Sequence, residues 1–133
     1  MDWYGNLFTV GRVQYVLTTH VPSLYSVLFY GRGITGDSEY LRDFLQHLRD
    51  HLEEDGLLHI FDVHIEPNLR PIYWSKTRNR SVLGCMNGMA DRCKWMEDRG
   101  MADPWQLTKR LNTTPFSTIQ FQHPRERMLS VFQ

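Results

Sequence analysis

The first thirty residues constrain the fold most. "WYGNLFTV" and "VQYVLTTH" are dense in aromatic and β-branched side chains, and only Gly11-Arg12 separates them. Glycine at the first central position suits a two-residue type II′ turn, whose twist matches that of the strands it joins. A third run, "LYSVLFY" at 24–30, follows the turn Val21-Pro22-Ser23. A three-strand antiparallel meander is therefore expected. Apolar residues occupy both strand faces, so helices should cover one side and part of the other.

Two helices are the main candidates to do so. After "GRGITGDS" the residues Tyr40, Leu41, Phe44, Leu45, Leu48 and Leu52 recur at helical spacing, and Asp37 or Ser38 stands where a cap belongs. That helix should end near Gly56 and carry its acids outside. A second long helix is expected from about Ser81 to Arg99. There Val82, Met86, Met89, Cys93 and Met96 form a stripe able to face the sheet, and Gly100 is a natural stop. Between the two, "LLHIFDVHIEP" leans towards helix and "RPIYWSKT" towards a fourth strand. Asp103-Pro104 has the chemistry of a helix start for "PWQLTKRLN", "STIQFQ" suggests a strand, and a last turn or helix should follow Pro124. The fold class is α+β: a small, mainly antiparallel sheet with its N-terminal three-strand meander, packed by two main helices. No linker or low-complexity tract divides the 133 residues, so 1–133 is expected to be a single α+β domain.

Composition excludes several classes. With 41% hydrophobic and 23% charged residues the chain is neither disordered nor fibrous, and no apolar run approaches membrane-spanning length. Fifteen basic and fifteen acidic residues cancel, so no global field draws the chain to nucleic acid or to an anionic membrane. The charge is unevenly spread. Residues 37–56 hold seven acids and two arginines, whereas 67–90 hold four bases and no acid. Cys85 and Cys93 are eight residues apart on one expected helix, about 12 Å along its axis, too far for a disulfide. Two unpaired thiols and no signal peptide point to the cytoplasm.

Several motifs compete for a function. "GRGITG" at 31–36 fits G-x-G-x-x-G, but Asp37 and Glu39 would repel a pyrophosphate there and the flanking strands form a meander. His47 and His51 have the i, i+4 spacing of metal ligands, yet "HLRDH" lacks the glutamate of H-E-x-x-H, and a partly exposed pair on an acidic face is the simpler reading. No nucleophile elbow, phosphate loop or paired cysteine and base is apparent. Neither a catalytic residue, a metal nor a cofactor is implied, and the enzyme reading around Ser81, Cys85 or the histidines ranks lowest.

The basic stretch leading into "TRNRSVLGCMNG" carries the remaining signal. Arg70, Lys76, Arg78 and Arg80 fall within eleven residues, Thr77, Asn79 or Ser81 can cap the helix, and Tyr73 or Trp74 offers a stacking face. Ser81, Gly84 and Gly88 form a small-residue ridge. Glycine costs roughly 1 kcal/mol against alanine inside a helix, so close packing or ligand access must compensate. The structural alternative has the arginines pairing with the acidic helix.

"DWYGNLF", "RVQYVLTT", "SLYSVLF", "TRNRSVLGCMNGMA" and "LTKRLNTTPFSTI" together resemble an uncharacterised family of small bacterial domains with a D-W-[YH]-A-N-L opening and an N-R-S-V-L-G-S-M-N-D block. Cys85 and Gly88 depart from that block, where the family has serine and aspartate. Members usually carry a further strand and helix before the D-W motif, a segment whose loss would open a sheet edge or apolar patch. The resemblance implies the order of elements and supplies no catalytic residue. The expected function is a non-enzymatic protein-binding module, a regulator or inhibitor of mobile-element or defence origin that binds another protein. The alternative is recognition of a phosphate ligand or nucleic acid through 70–80.

Overall fold

The computed structural model describes residues 3–31, 36–68, 72–74, 80–98 and 103–132. Strands β1 (Trp3–Val10), β2 (Val13–His20) and β3 (Ser26–Tyr30) form the antiparallel meander, and β4 (Ile72–Trp74) adds in parallel to β1, giving the order β3-β2-β1-β4. Val10 pairs with Val13 across the expected two-residue turn, where Gly11 takes φ +62° and Arg12 stays in the ordinary region. The α+β class and the mainly antiparallel sheet stand as read from the sequence.

Helices cover both faces, which explains the apolar residues on both sides of β2 and β3. Helix α1 (Asp37–Glu54) lays Tyr40, Phe44, Leu48 and Leu52 on one face, with Trp3, Val16, Val27 and Phe29 beneath. Its N-cap is Gly36 with no side-chain cap bond, so the cap expected from Asp37 or Ser38 is replaced by an extended glycine. The segment after Gly56 (φ +76°) is helical, with α2 (Leu58–Ile60) followed by a π-helical turn, Phe61–Ile65, and a 3-10 turn, Glu66–Asn68. Ile60, Phe61 and Ile65 complete this core.

On the opposite face α3 (Arg80–Asp98) buries Val82, Met86, Met89 and Cys93 against Phe8, Tyr15, Leu17 and Leu28. The methionine stripe faces the sheet as its spacing predicts. Helix α4 (Pro104–Asn112) starts on Asp103, whose carboxylate accepts from the Gln106 amide, and buries Leu107 and Leu111 in the same core. The sheet is thus packed by α1 and α3, with α4 as a third cover that the two-helix expectation omitted. One turn apart on α4, Thr108 and Asn112 bond the outward backbone groups of Leu28 and Ser26, sealing the β3 edge.

One element is corrected. "STIQFQ" is not a strand: Ser117–Ile119 forms a 3-10 turn, and Gln120 and Phe121 both take left-handed φ near +60°. The amides of Ile119 and Phe121 both donate to the Phe116 carbonyl, coiling a stretch that alternation alone would extend. Helix α5 (Pro124–Val131) closes the described chain under a capping box between His123 and Glu126.

Candidate functional site

The glycine face of α3 is open. Apart from the adjacent residues and the backbone of α3 itself, no described atom lies within 4 Å of where a Cβ would stand at Gly84 or at Gly88. Among the described residues, no neighbouring element closes on the ridge at Gly84 or Gly88. Gly84 and Gly88 border a groove of about 380 Å³ walled by Met89, Leu111 and Phe116, with Arg80 and Arg92 beside it. A second, more open cleft of about 600 Å³ adjoins it at Arg92 and is bordered by Asp91, Trp95, Arg110 and Thr114.

Local chemistry sets these side chains in place. Asn112 ends α4, and the hydroxyls of Thr113 and Thr114 fold back to donate to the carbonyls of Lys109 and Arg110, at 2.9 and 2.6 Å. Thr114 Oγ1 also accepts from Arg92 Nη1 at 3.0 Å, which fixes that guanidinium at the junction of the two cavities. Cys85 Sγ lies 3.3 Å from Thr118 Oγ1 on the groove wall. Arg80, Arg92 and Arg110 are exposed, and none forms an ion pair with a described residue. The pairing of Arg80 with the acidic helix is thus not made among the described residues.

The sequence-predicted residues are distributed unevenly. Arg80 opens α3 at one end of the groove. Ser81 lies in the first turn of α3 and Trp74 pairs through its backbone with Gly5, but the side chains of both lie outside what is described. Arg70, Lys76, Arg78 and Asn79 lie outside the described residues, as do 32–35 of the glycine-rich motif. Arg92, Trp95 and Arg110 were not among the candidate site residues. For Arg92 and Trp95 the signal was the helical wheel: at about 100° per residue, Gly84, Trp95 and Gly88 fall between Arg80 and Arg92 within an arc of about 120°; Arg110, on α4, gave none.

Two polar clusters serve the fold. Asp55 receives the Lys109 ammonium at 2.9 Å and the Tyr25 hydroxyl at 2.6 Å, and Lys109 also donates to the His51 carbonyl at 3.2 Å, tying the end of α1 to α4. Burial, with the Asp55 charge adding to it, raises the Tyr25 hydroxyl far above its usual value. His51, expected on a partly exposed face, is buried, with its ring stacked 3.9 Å from that of Trp105. Burial, then the Lys109 charge, pushes its pKa down to about 4. His47 is lowered by burial and stacks on Phe29. No group of three or more potential metal ligands occurs among the described residues. The second cluster joins His20 Nδ1 to Ser23 Oγ at 2.7 Å, but both residues are fully buried and Ser23 also accepts the Tyr25 amide. That Ser-His contact is a sealed turn and not a substrate site.

Fold and groove define a small α+β domain with an arginine-flanked recess on one helix. The chain belongs to the family described as a domain of unknown function, DUF6933, whose model matches residues 1–127. A search of curated proteins returned no match. No described helix is long and apolar enough to cross a membrane.

Proposed function

We propose that this chain is a non-enzymatic binding module whose recognition surface is the groove on α3, and that it acts on another protein as a regulator or inhibitor. The observation that carries the reading is the open floor at Gly84 and Gly88. Two interior helix glycines cost roughly 2 kcal/mol together, and no described neighbour offsets it by close approach. A flat floor kept at that cost is a surface that something else covers. Around it stand arginine and an exposed tryptophan, residue types enriched where proteins bind proteins. On this reading the family is bacterial, with the D-W-[YH]-A-N-L opening as its mark, and the protein works in the cytoplasm in a mobile-element or defence setting.

The test is parallel capture from a host lysate with wild type, Gly88→Trp, which fills the groove, and Val63→Lys, which alters an exposed residue on the other side of the sheet. A partner retained by wild type and Val63→Lys but lost from Gly88→Trp supports the reading. A partner retained equally by all three would place recognition elsewhere.

One observation favours a second reading. Arg80, Arg92 and Arg110 lack acidic partners among the described residues, and Arg80 is continuous in sequence with Arg70, Lys76 and Arg78. A phosphate ligand or nucleic acid would use that charge, and its binding would fall steeply as salt rises.

A further inference from the structure

With the groove as the recognition surface, a reading on which the choice of occupant rests, its lining narrows what can bind there. The floor and walls are apolar: two glycines, Met89, Leu111 and Phe116. The flanks are cationic, with Arg80 at one end of α3 and both Arg92 and Arg110 bordering the adjoining cleft; the acid bordering either cavity is Asp91. Twelve residues separate Arg80 from Arg92, about 18 Å along the helix. A partner must therefore bring an apolar side chain to the centre and negative charge to both ends.

We infer that the groove binds an acidic segment of a partner protein, with an apolar anchor over Gly84 and Gly88 and carboxylates on Arg80, Arg92 and Arg110. The guanidinium fork matches a carboxylate in two parallel hydrogen bonds, and the match is strongest beside an apolar wall that excludes water. Charge complementarity separates this occupant from the others. A second copy of this chain offers the acidic helix α1, but the apolar stripe of α1 is buried on its own sheet, so its acids come without an anchor. A phosphate polymer needs a continuous basic track, and here Asp91 interrupts a lining that is mostly apolar.

The experiment selects random peptides displayed on phage against the immobilised full chain, then measures synthetic copies of the selected peptides by fluorescence anisotropy. Enrichment of Asp or Glu around a large apolar residue is expected, with binding lost in Gly88→Trp and weakened about tenfold or more in Arg80→Glu/Arg92→Glu. Replacing the peptide acids with lysine should restore binding to the double variant. Peptides blocked by Gly88→Trp but free of acids, or indifferent to charge reversal, would overturn the acidic occupant while leaving the groove as the binding surface. Peptides indifferent to Gly88→Trp would remove the groove itself. An oligothymidylate probe bound more tightly than any peptide and lost in the double variant would overturn the inference in favour of phosphate.

Discussion

The carboxamide of Asn112 closes on the Ser26 peptide from both sides: its Oδ1 accepts the Ser26 amide at 2.9 Å and its Nδ2 donates to the Ser26 carbonyl at 2.8 Å. The side chain thereby replaces the next strand of the sheet. One turn earlier Thr108 Oγ1 accepts the Leu28 amide at 3.0 Å, so two side chains of α4 occupy alternate positions of an edge that would otherwise pair with another chain. Asn112→Ala strands two buried backbone groups, each worth about 1–3 kcal/mol. The expected loss is about 3 kcal/mol in urea unfolding, with concentration-dependent association of the variant. A loss below about 1 kcal/mol would mean that water reaches this edge and the seal is nominal.

The Asp55–Lys109 pair ties α1 to α4 in a part of the molecule where the Asp55 side chain is only 5% exposed. Removing one partner leaves the other charge stranded. Lys109→Met should cost about 4 kcal/mol, whereas Lys109→Met combined with Asp55→Asn should recover much of it, because the unpaired carboxylate is gone. The Tyr25 hydroxyl keeps an acceptor in the double variant. Urea midpoints of the two single variants and the double variant form the cycle; strict additivity would show that the pair is not coupled.

Acid should destabilise the fold through two histidines. Burial pushes His20 down to about 3 and His51 to about 4, both below the unfolded value of 6.5. The unfolded chain then binds more protons than the folded chain below pH 6.5. The neutral form of each histidine contributes fully above that pH, and its contribution is lost as pH falls towards 4 for His51 and 3 for His20. Each contributes a slope of up to about 1.4 kcal/mol per pH unit. His51→Phe keeps a ring against Trp105 and should flatten the profile between pH 6.5 and 4; an unchanged slope would show that His51 is not the group responsible.

Periodicity made the helices legible, because α1 and α3 must each present one continuous apolar stripe to a sheet face. The hairpin was legible because only glycine serves comfortably at Gly11. "STIQFQ" misled because its alternation is that of a strand, while Phe121 is 73% exposed and the coil is imposed by bonds to Phe116. Half of the groove was visible as two helix glycines needing compensation. The other half was not, since Leu111 reaches it from α4 and Arg110 borders the adjoining cleft, and the fold alone brings the end of α4 beside the α3 residues Arg92 and Trp95. The edge seal was hidden for the same reason: a polar residue such as Thr108 or Asn112 on a helix says nothing about which strand it meets. Of the basic cluster chosen from the sequence, Arg80 reaches the groove, and Arg70, Lys76, Arg78 and Asn79 lie outside the described residues.

The two glycines of α3 separate stability from recognition. Where a helix glycine is kept for packing, alanine clashes and the protein weakens; at Gly84 and Gly88 a Cβ would enter open space. Alanine there removes backbone freedom from the unfolded chain without strain in the folded one. Gly84→Ala and Gly88→Ala should therefore each stabilise by up to about 1 kcal/mol, raising the thermal midpoint by a few degrees. The same methyl groups roughen the floor that a partner's anchor must cover, so the double variant should melt higher and bind the selected peptides less well. A drop in the midpoint would mean that the floor is closed by packing after all, and the groove would cease to be a binding surface. A rise in both stability and affinity would instead show that the occupant stands clear of the glycines.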